Sequence, residues 1–176
     1  VQVEHLGAVT ALTRTLGGKV FREPTDLPTV GRYAVIADPQ GASLELFEPA
    51  TEMTLHDDGK PGEFCWNELM TNDQPAAFEF YSRLLGWQKL QDMDDKGTYL
   101  IYGLDDKPRG GMMTWPREAS RPPAWLYYTE TLDVDAAISR ATKRGAKVMN
   151  VPMEVPGGGH TAQRIDPQGA AFALHQ

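Results

Sequence analysis

Cysteine is almost absent from this chain: Cys65 is the only one in 176 residues. That excludes a disulfide within the chain and every zinc motif built on cysteine pairs. Histidine is scarce too, at four residues. Positive charge is in deficit, with 17 Lys and Arg against 24 Asp and Glu and a net charge of −7. Phosphate-backbone binding needs clustered Lys and Arg, so no nucleic-acid partner is expected. No apolar run approaches the roughly 20 residues that cross a bilayer, and the first residues lack the pattern of a signal peptide. No membrane partner is expected, and the cytoplasm is the expected location.

What the chain does have is a repeat. Residues 1–48 lie over 129–176 at a constant offset of 128, without a gap and with fourteen identities. They include Gly17/Gly145, Gly31/Gly159, Leu46/Leu174 and the run Asp38-Pro39-Gln40-Gly41-Ala42 against Asp166-Pro167-Gln168-Gly169-Ala170. Self-similarity of this length defines an architecture before any other signal is read.

In the first copy a short strand at Val1–Val3 is expected, then a helix of about three turns ending at Leu16-Gly17-Gly18, where glycine suits the left-handed cap. Strands are predicted at Lys19–Phe21, Arg32–Ala37 and Ser43–Phe47, with Asp38-Pro39-Gln40-Gly41 as a hairpin turn. Residues 49–62 are polar and rich in breakers, and read as a linker. A second unit starts at Glu63 with an extended stretch Phe64–Thr71. Asp73 is its helix N-cap with Pro75 in the first turn, Ala77, Phe80, Tyr81, Leu84 and Leu85 form one apolar face, and Gly86 closes the helix. Strands follow at Trp87–Met93, Thr98–Tyr102 and Gly111–Trp115. The third unit repeats the order: strand Trp125–Leu132, N-cap Asp133, a helix presenting Val134, Ala137, Ile138 and Ala141, then strands at Lys147–Val151, His160–Ile165 and Ala171–His175. The order is β-α-β-β-β twice, preceded by most of one further copy.

The segment Phe80-Tyr81-Ser82-Arg83-Leu84-Leu85-Gly86-Trp87 resembles the first-module helix of the vicinal-oxygen-chelate superfamily, which holds glyoxalases, bleomycin-resistance proteins and extradiol dioxygenases. Asp133-Val134-Asp135-Ala136-Ala137, Arg144-Gly145-Ala146-Lys147-Val148 and Asp166-Pro167-Gln168-Gly169-Ala170 are similar to the second-module signature. Cys65-Trp66-Asn67-Glu68-Leu69 and Gly110-Gly111-Met112-Met113 narrow the likeness to a tandem-domain, hydroxylase-like branch. The fold implied is α+β, with paired β-α-β-β-β modules forming a cupped mixed sheet. On that frame residues 1–48 are the second module of an incomplete first domain, 49–62 a linker, and 63–176 a complete domain with modules 63–117 and 124–176. Truncation at the N-terminus is expected, since that branch carries four modules and the chain does not open on Met.

Members that act on substrates bind a divalent metal inside the cup, through the first and last strands of each module. The resemblance puts Trp66, Leu126 and Ala173 at three of those positions, and none can ligate a metal. No metal site is therefore expected in 63–176, and no cofactor, unless atypical ligands serve. Glu45 stands at a family ligand position in the first copy, with no partners in this chain. Strand alternation places Trp66, Glu68 and Met70 on one face, Leu126, Tyr128 and Glu130 on the equivalent face, and Ala173 with His175 on the last strand. Met113 joins them. The expected ligand site is therefore Trp66, Glu68, Met113, Leu126, Tyr128, Ala173 and His175, apolar with a few polar groups. An inward Glu68 must be paired, protonated or solvated by a cavity.

His5 aligns with an N-cap, His56 falls in the linker, and His160 follows the glycine-rich Pro156-Gly157-Gly158-Gly159. Each reads as a surface group, and Cys65 as buried and inert, facing away from the cup. Three functions remain in competition. One is binding of a small aromatic or planar molecule without catalysis. The second is a lyase- or dioxygenase-type enzyme with atypical groups, Glu68 and His175 being the catalytic candidates. The third is assembly, with residues 1–48 joining two chains into a homodimer, because a fragment of that size rarely buries its apolar face alone.

Overall fold

The structure is a computed structural model, and it describes residues 1–52, 59–93, 99–116, 121–155 and 158–176. His56 and the Pro156-Gly157 pair of the glycine-rich loop lie outside the described residues. The elements are α1 (Leu6–Thr15), β1 (Lys19–Leu27), β2 (Gly31–Ala37), β3 (Ser43–Pro49), β4 (Phe64–Thr71), α2 (Gln74–Leu85), β5 (Gln88–Asp92), β6 (Tyr99–Leu104) and β7 (Lys107–Thr114). They continue with β8 (Ala124–Glu130), α3 (Val134–Lys143), β9 (Lys147–Val148), β10 (Met153–Val155), β11 (Gly159–Ile165) and β12 (Ala171–His175). The sequence repeat is a structural one: the bounds of α1 and α3, and of β2 and β11, differ by 128 at both ends. The chain folds as an α+β protein with a mixed sheet.

Helix ends follow local chemistry. The Asp73 side chain accepts from the Ala76 amide, Pro75 occupies the first turn, and Gly86 takes the left-handed conformation at φ 73°. Asp133 caps α3 in the same way through Ala136. At α1 the capping position holds His5, which is exposed and makes no side-chain cap bond. The Leu6 amide donates instead to Glu48 Oε2 at 2.7 Å. At the equivalent place in the other copy, Val134 donates to Gln176 Oε1 at 2.8 Å. Because α3 has Asp133 as well, Glu48→Ala is expected to cost about 1 kcal/mol and Gln176→Ala about half as much. Urea titration of both variants checks this; equal losses would refute the argument.

Several strand expectations shift. Val1–Val3 contributes only an isolated bridge, Gln2 to Phe47. The strand begun at Lys19 runs on to Leu27, with two irregular steps in its pairing with β2. Beyond Lys147 the strand stops at Val148, because the Asn150 side chain takes the Gln163 amide at 2.6 Å in place of a ladder bond.

The chain forms two compact units, Val1–Leu55 with Glu68–Trp125, and His56–Asn67 with Leu126–Gln176. In the first, β1-β2-β3 form an antiparallel sheet, and the second half of β4 pairs in parallel with β7, followed by β6 and β5. One core joins Leu6, Ile36 and Leu46 of the first copy to Leu69, Phe80, Tyr81, Trp87 and Tyr102. Asp73 N donates to Gln40 Oε1 at 2.8 Å, and Gln40 Nε2 donates to the Asp73 carbonyl at 2.7 Å. Leu6, Ala34, Ile36, Leu44 and Leu46 of the first copy are buried in that core. In the second unit the strand order is β10-β11-β12-β8, with β9 on β11 and the first half of β4 beside β8. Helix α3 covers Ala162 and Leu174, with Phe172 and Ile138 against them.

Candidate functional site

The second unit builds its most chemically varied cluster from a turn and three strand ends. Glu63 N donates to the Lys60 carbonyl at 2.8 Å, and Gly62 sits at φ 95°, a conformation that favours glycine. Gly62 N then donates to the Glu130 carbonyl, and Glu130 N to the Glu63 carbonyl, each at 2.9 Å. One residue of β8 therefore faces two of the incoming chain, a glycine bulge that fixes where β4 begins. Cys65 follows, its thiol 3.5 Å from the Tyr128 carbonyl.

Strands β8 and β12 run parallel, with Tyr128 beside Ala173 and Glu130 beside His175. Paired residues project to the same face, so His175 meets Glu130, and Nδ1 lies 2.8 Å from Oε2. The donor atoms of Cys65, Glu130 and His175 all lie within 4.8 Å of one another, and all three residues are half-buried. Burial, and then the adjoining Glu130 carboxylate, push the Cys65 thiol up to about 12, so it carries its proton at neutral pH.

On the same strands, away from α3, Tyr128 and Ala173 are joined by Gln163 of β11, which pairs with Ala173. Gln163 Nε2 donates to the Tyr128 phenol oxygen at 2.9 Å. Leu126, Tyr128 and Ala173 are all buried, and Trp66 is half-buried. The expected site residues are divided between the two units. Trp66, Leu126, Tyr128, Ala173 and His175 belong to the second, and Glu68 and Met113 to the first, where Glu68 pairs with Gly111 and Met70 with Met113. Glu45 is exposed on β3, and His160 is exposed on β11.

A groove of about 510 Å³ lies on the α3 side of the second unit, where Glu130, Leu132, Phe172, Arg140 and Arg144 are among its walls. Sequence reasoning did not single out Cys65, Glu130 and Gln163 as functional. The parity of β8 did put Glu130 with Tyr128. The position of Cys65 depends on the glycine bulge, for which Lys60-Pro61-Gly62-Glu63 was the available signal.

The fold is α+β with a mixed sheet, and comparison specifies the family. The model of the Glyoxalase/Bleomycin resistance protein/Dioxygenase superfamily matches residues 64–174, and the chain belongs to that superfamily. The Mn(II)-bound glyoxalase from Novosphingobium aromaticivorans superposes with a TM-score of 0.67 at 17% identity, covering 99% of this chain and 60% of that one. The 2,3-dioxygenase LapB from Pseudomonas sp. KL28 superposes with a TM-score of 0.63 at 14% identity, covering 97% of this chain and 66% of that one. These two likenesses concern the fold. In sequence, the Anthracycline biosynthesis protein DauV of Streptomyces sp. (strain C5) is 33% identical over 168 residues, 95% of this chain and 60% of that protein. The chain thus spans about 60% of the length of that relative.

Proposed function

We propose that the chain binds a small aromatic or planar molecule on the β8–β12–β11 face of its second unit. The observation that carries this reading is the Tyr128 phenol, which accepts from Gln163 Nε2 at 2.9 Å on the face it shares with Leu126 and Ala173, all three buried. An apolar surface with a few fixed polar groups is the usual make-up of a small-molecule site. The family's metal does not fit its usual place, since Trp66, Leu126 and Ala173 offer no donor atom there. The relative named for anthracycline biosynthesis supports a polycyclic aromatic ligand.

A hydroxyanthraquinone is a suitable probe, followed by quenching of tryptophan fluorescence. Tyr128→Ala is expected to weaken its binding by about tenfold, the scale of an aromatic contact, while Arg140→Ala leaves it unchanged. The opposite pattern would place the ligand in the groove beside α3 and overturn the assignment. An enzymatic reading with atypical groups retains His175 as its best-placed candidate, because Glu130 holds the imidazole. Glu68, the other candidate, is buried in the first unit. Turnover of the probe that disappears in His175→Ala would favour that reading.

A further inference from the structure

We infer that Cys65, Glu130 and His175 form a binding site for one divalent cation of the Zn²⁺ type, at positions other than those the family uses for its metal. The three side chains come from the start of β4, the end of β8 and the end of β12. Their donor atoms lie within 4.8 Å of one another, and His175 Nδ1 stands 2.8 Å from Glu130 Oε2. Around a tetrahedral zinc ion, with bonds of about 2.0–2.3 Å, neighbouring donors stand about 3.4–3.7 Å apart. That spacing falls between the two observed distances, so small side-chain rotations suffice. One sulfur, one nitrogen and one oxygen make a borderline-soft set that suits Zn²⁺ and Co²⁺ over Mg²⁺ or Ca²⁺. Three protein ligands leave a fourth position for water or a ligand oxygen.

Two glycines make room for the cluster. A Cβ at Gly59 would stand 3.0 Å from Cys65 Cβ. One at Gly159 would stand 2.7 Å from His175 Nε2. The same contact decides which imidazole nitrogen is available. Nε2 lies over Gly159, while Nδ1 points to Glu130 and the cation position. It also argues against a thiol–imidazole–carboxylate nucleophile, which would need one ring nitrogen on the thiol and the other on the carboxylate. On binding, the Cys65 thiol releases its proton to solvent and the His175 proton resides on Nε2. Sulfur, Nδ1 and a Glu130 oxygen then each donate a lone pair, with no change of oxidation state. The cation would tie the Lys60–Glu63 turn to the ends of β8 and β12.

Titration of the metal-free full chain with Co²⁺ tests this. A thiolate-to-cobalt charge-transfer band saturating at one ion per chain, and bleached by Zn²⁺, is expected. Cys65→Ala and His175→Ala should each weaken binding by at least about tenfold, and Cys65→Ala should abolish the band. In the unaltered chain, Zn²⁺ should slow alkylation of Cys65, a readout that requires no variant to fold. Cobalt binding without the band, or alkylation at the same rate with and without zinc, would overturn the proposal. The anthraquinone titration reads the Tyr128 face and the cobalt band reads the cluster, so the two proposals fail separately.

Discussion

Trp87→Ala is expected to cost about 3–5 kcal/mol, the range for removing a large buried aromatic ring. The indole is 8% exposed and lies between two phenol rings. Its centroid is 4.2 Å from that of Tyr102 and 5.2 Å from that of Tyr81, both stacked, and Trp125 meets it edge-on at 6.0 Å. Removal therefore leaves a cavity bounded by flat rings that cannot collapse around a methyl group, and it deletes three ring contacts besides. Gly86 places the indole there by ending α2 in the left-handed conformation. Trp87→Phe should keep part of the stack and lose about half as much. Urea unfolding followed by far-ultraviolet circular dichroism measures both. A loss under about 1 kcal/mol for the alanine variant would mean that the stack is not a determinant of stability.

The second large effect is at Asp38. Its Oδ1 accepts from the amides of Gln40, Gly41 and Ala42 at 2.7–2.9 Å, and its Oδ2 accepts from the Tyr81 hydroxyl at 3.3 Å. The residue is 1% exposed. Asp38→Ala strands the buried Ala42 amide and the buried Tyr81 hydroxyl, and about 3 kcal/mol of stability should go with them. The chain contains its own control. Asp166, at the same place in the other copy, accepts from Gln168 and Ala170 in exposed surroundings, so water can replace it. Asp166→Ala should cost only about 1 kcal/mol.

Burial raises the Asp38 carboxyl above the usual carboxylate range, against the lowering effect of the bonds it accepts. The folded chain therefore binds this proton more tightly than the unfolded chain, whose carboxyl titrates near pH ~3.9. The resulting stabilisation is fully present below that value and is lost as pH rises through the folded-state value. Asp38→Asn keeps an oxygen for the three amides and removes the titration. It should retain most of the stability and show a weaker fall in stability across that interval. A parallel pH dependence in the two proteins would exclude Asp38 as its source.

The helix α2 was legible in the sequence nearly to the residue, because Asp73, Pro75 and Gly86 each act on the backbone beside them. The same holds for the repeat, whose turn Asp38-Pro39-Gln40-Gly41 closes on itself through the Asp38 side chain. Strand limits were less legible. A side chain such as Asn150 can replace a ladder partner, and nothing in the local pattern announces it. Among the site residues, the shared face of Tyr128 and Ala173 followed from alternation, whereas the bond from Gln163 depends on the third strand, β11.

By itself the sequence determined the repeat, the two capped helices α2 and α3, and the family. These depend on residue identity and on interactions within a few residues of chain. The tertiary structure alone decided where the first copy finds its core and what surrounds Cys65. Both depend on contacts between segments far apart in sequence: Leu6 and Ile36 with Phe80 and Tyr81, and residue 65 with 130 and 175. Strand parity could place Glu130 and His175 on their strands. Only the parallel register of β8 with β12, and the bulge at Gly62, brought them to a common point with a thiol.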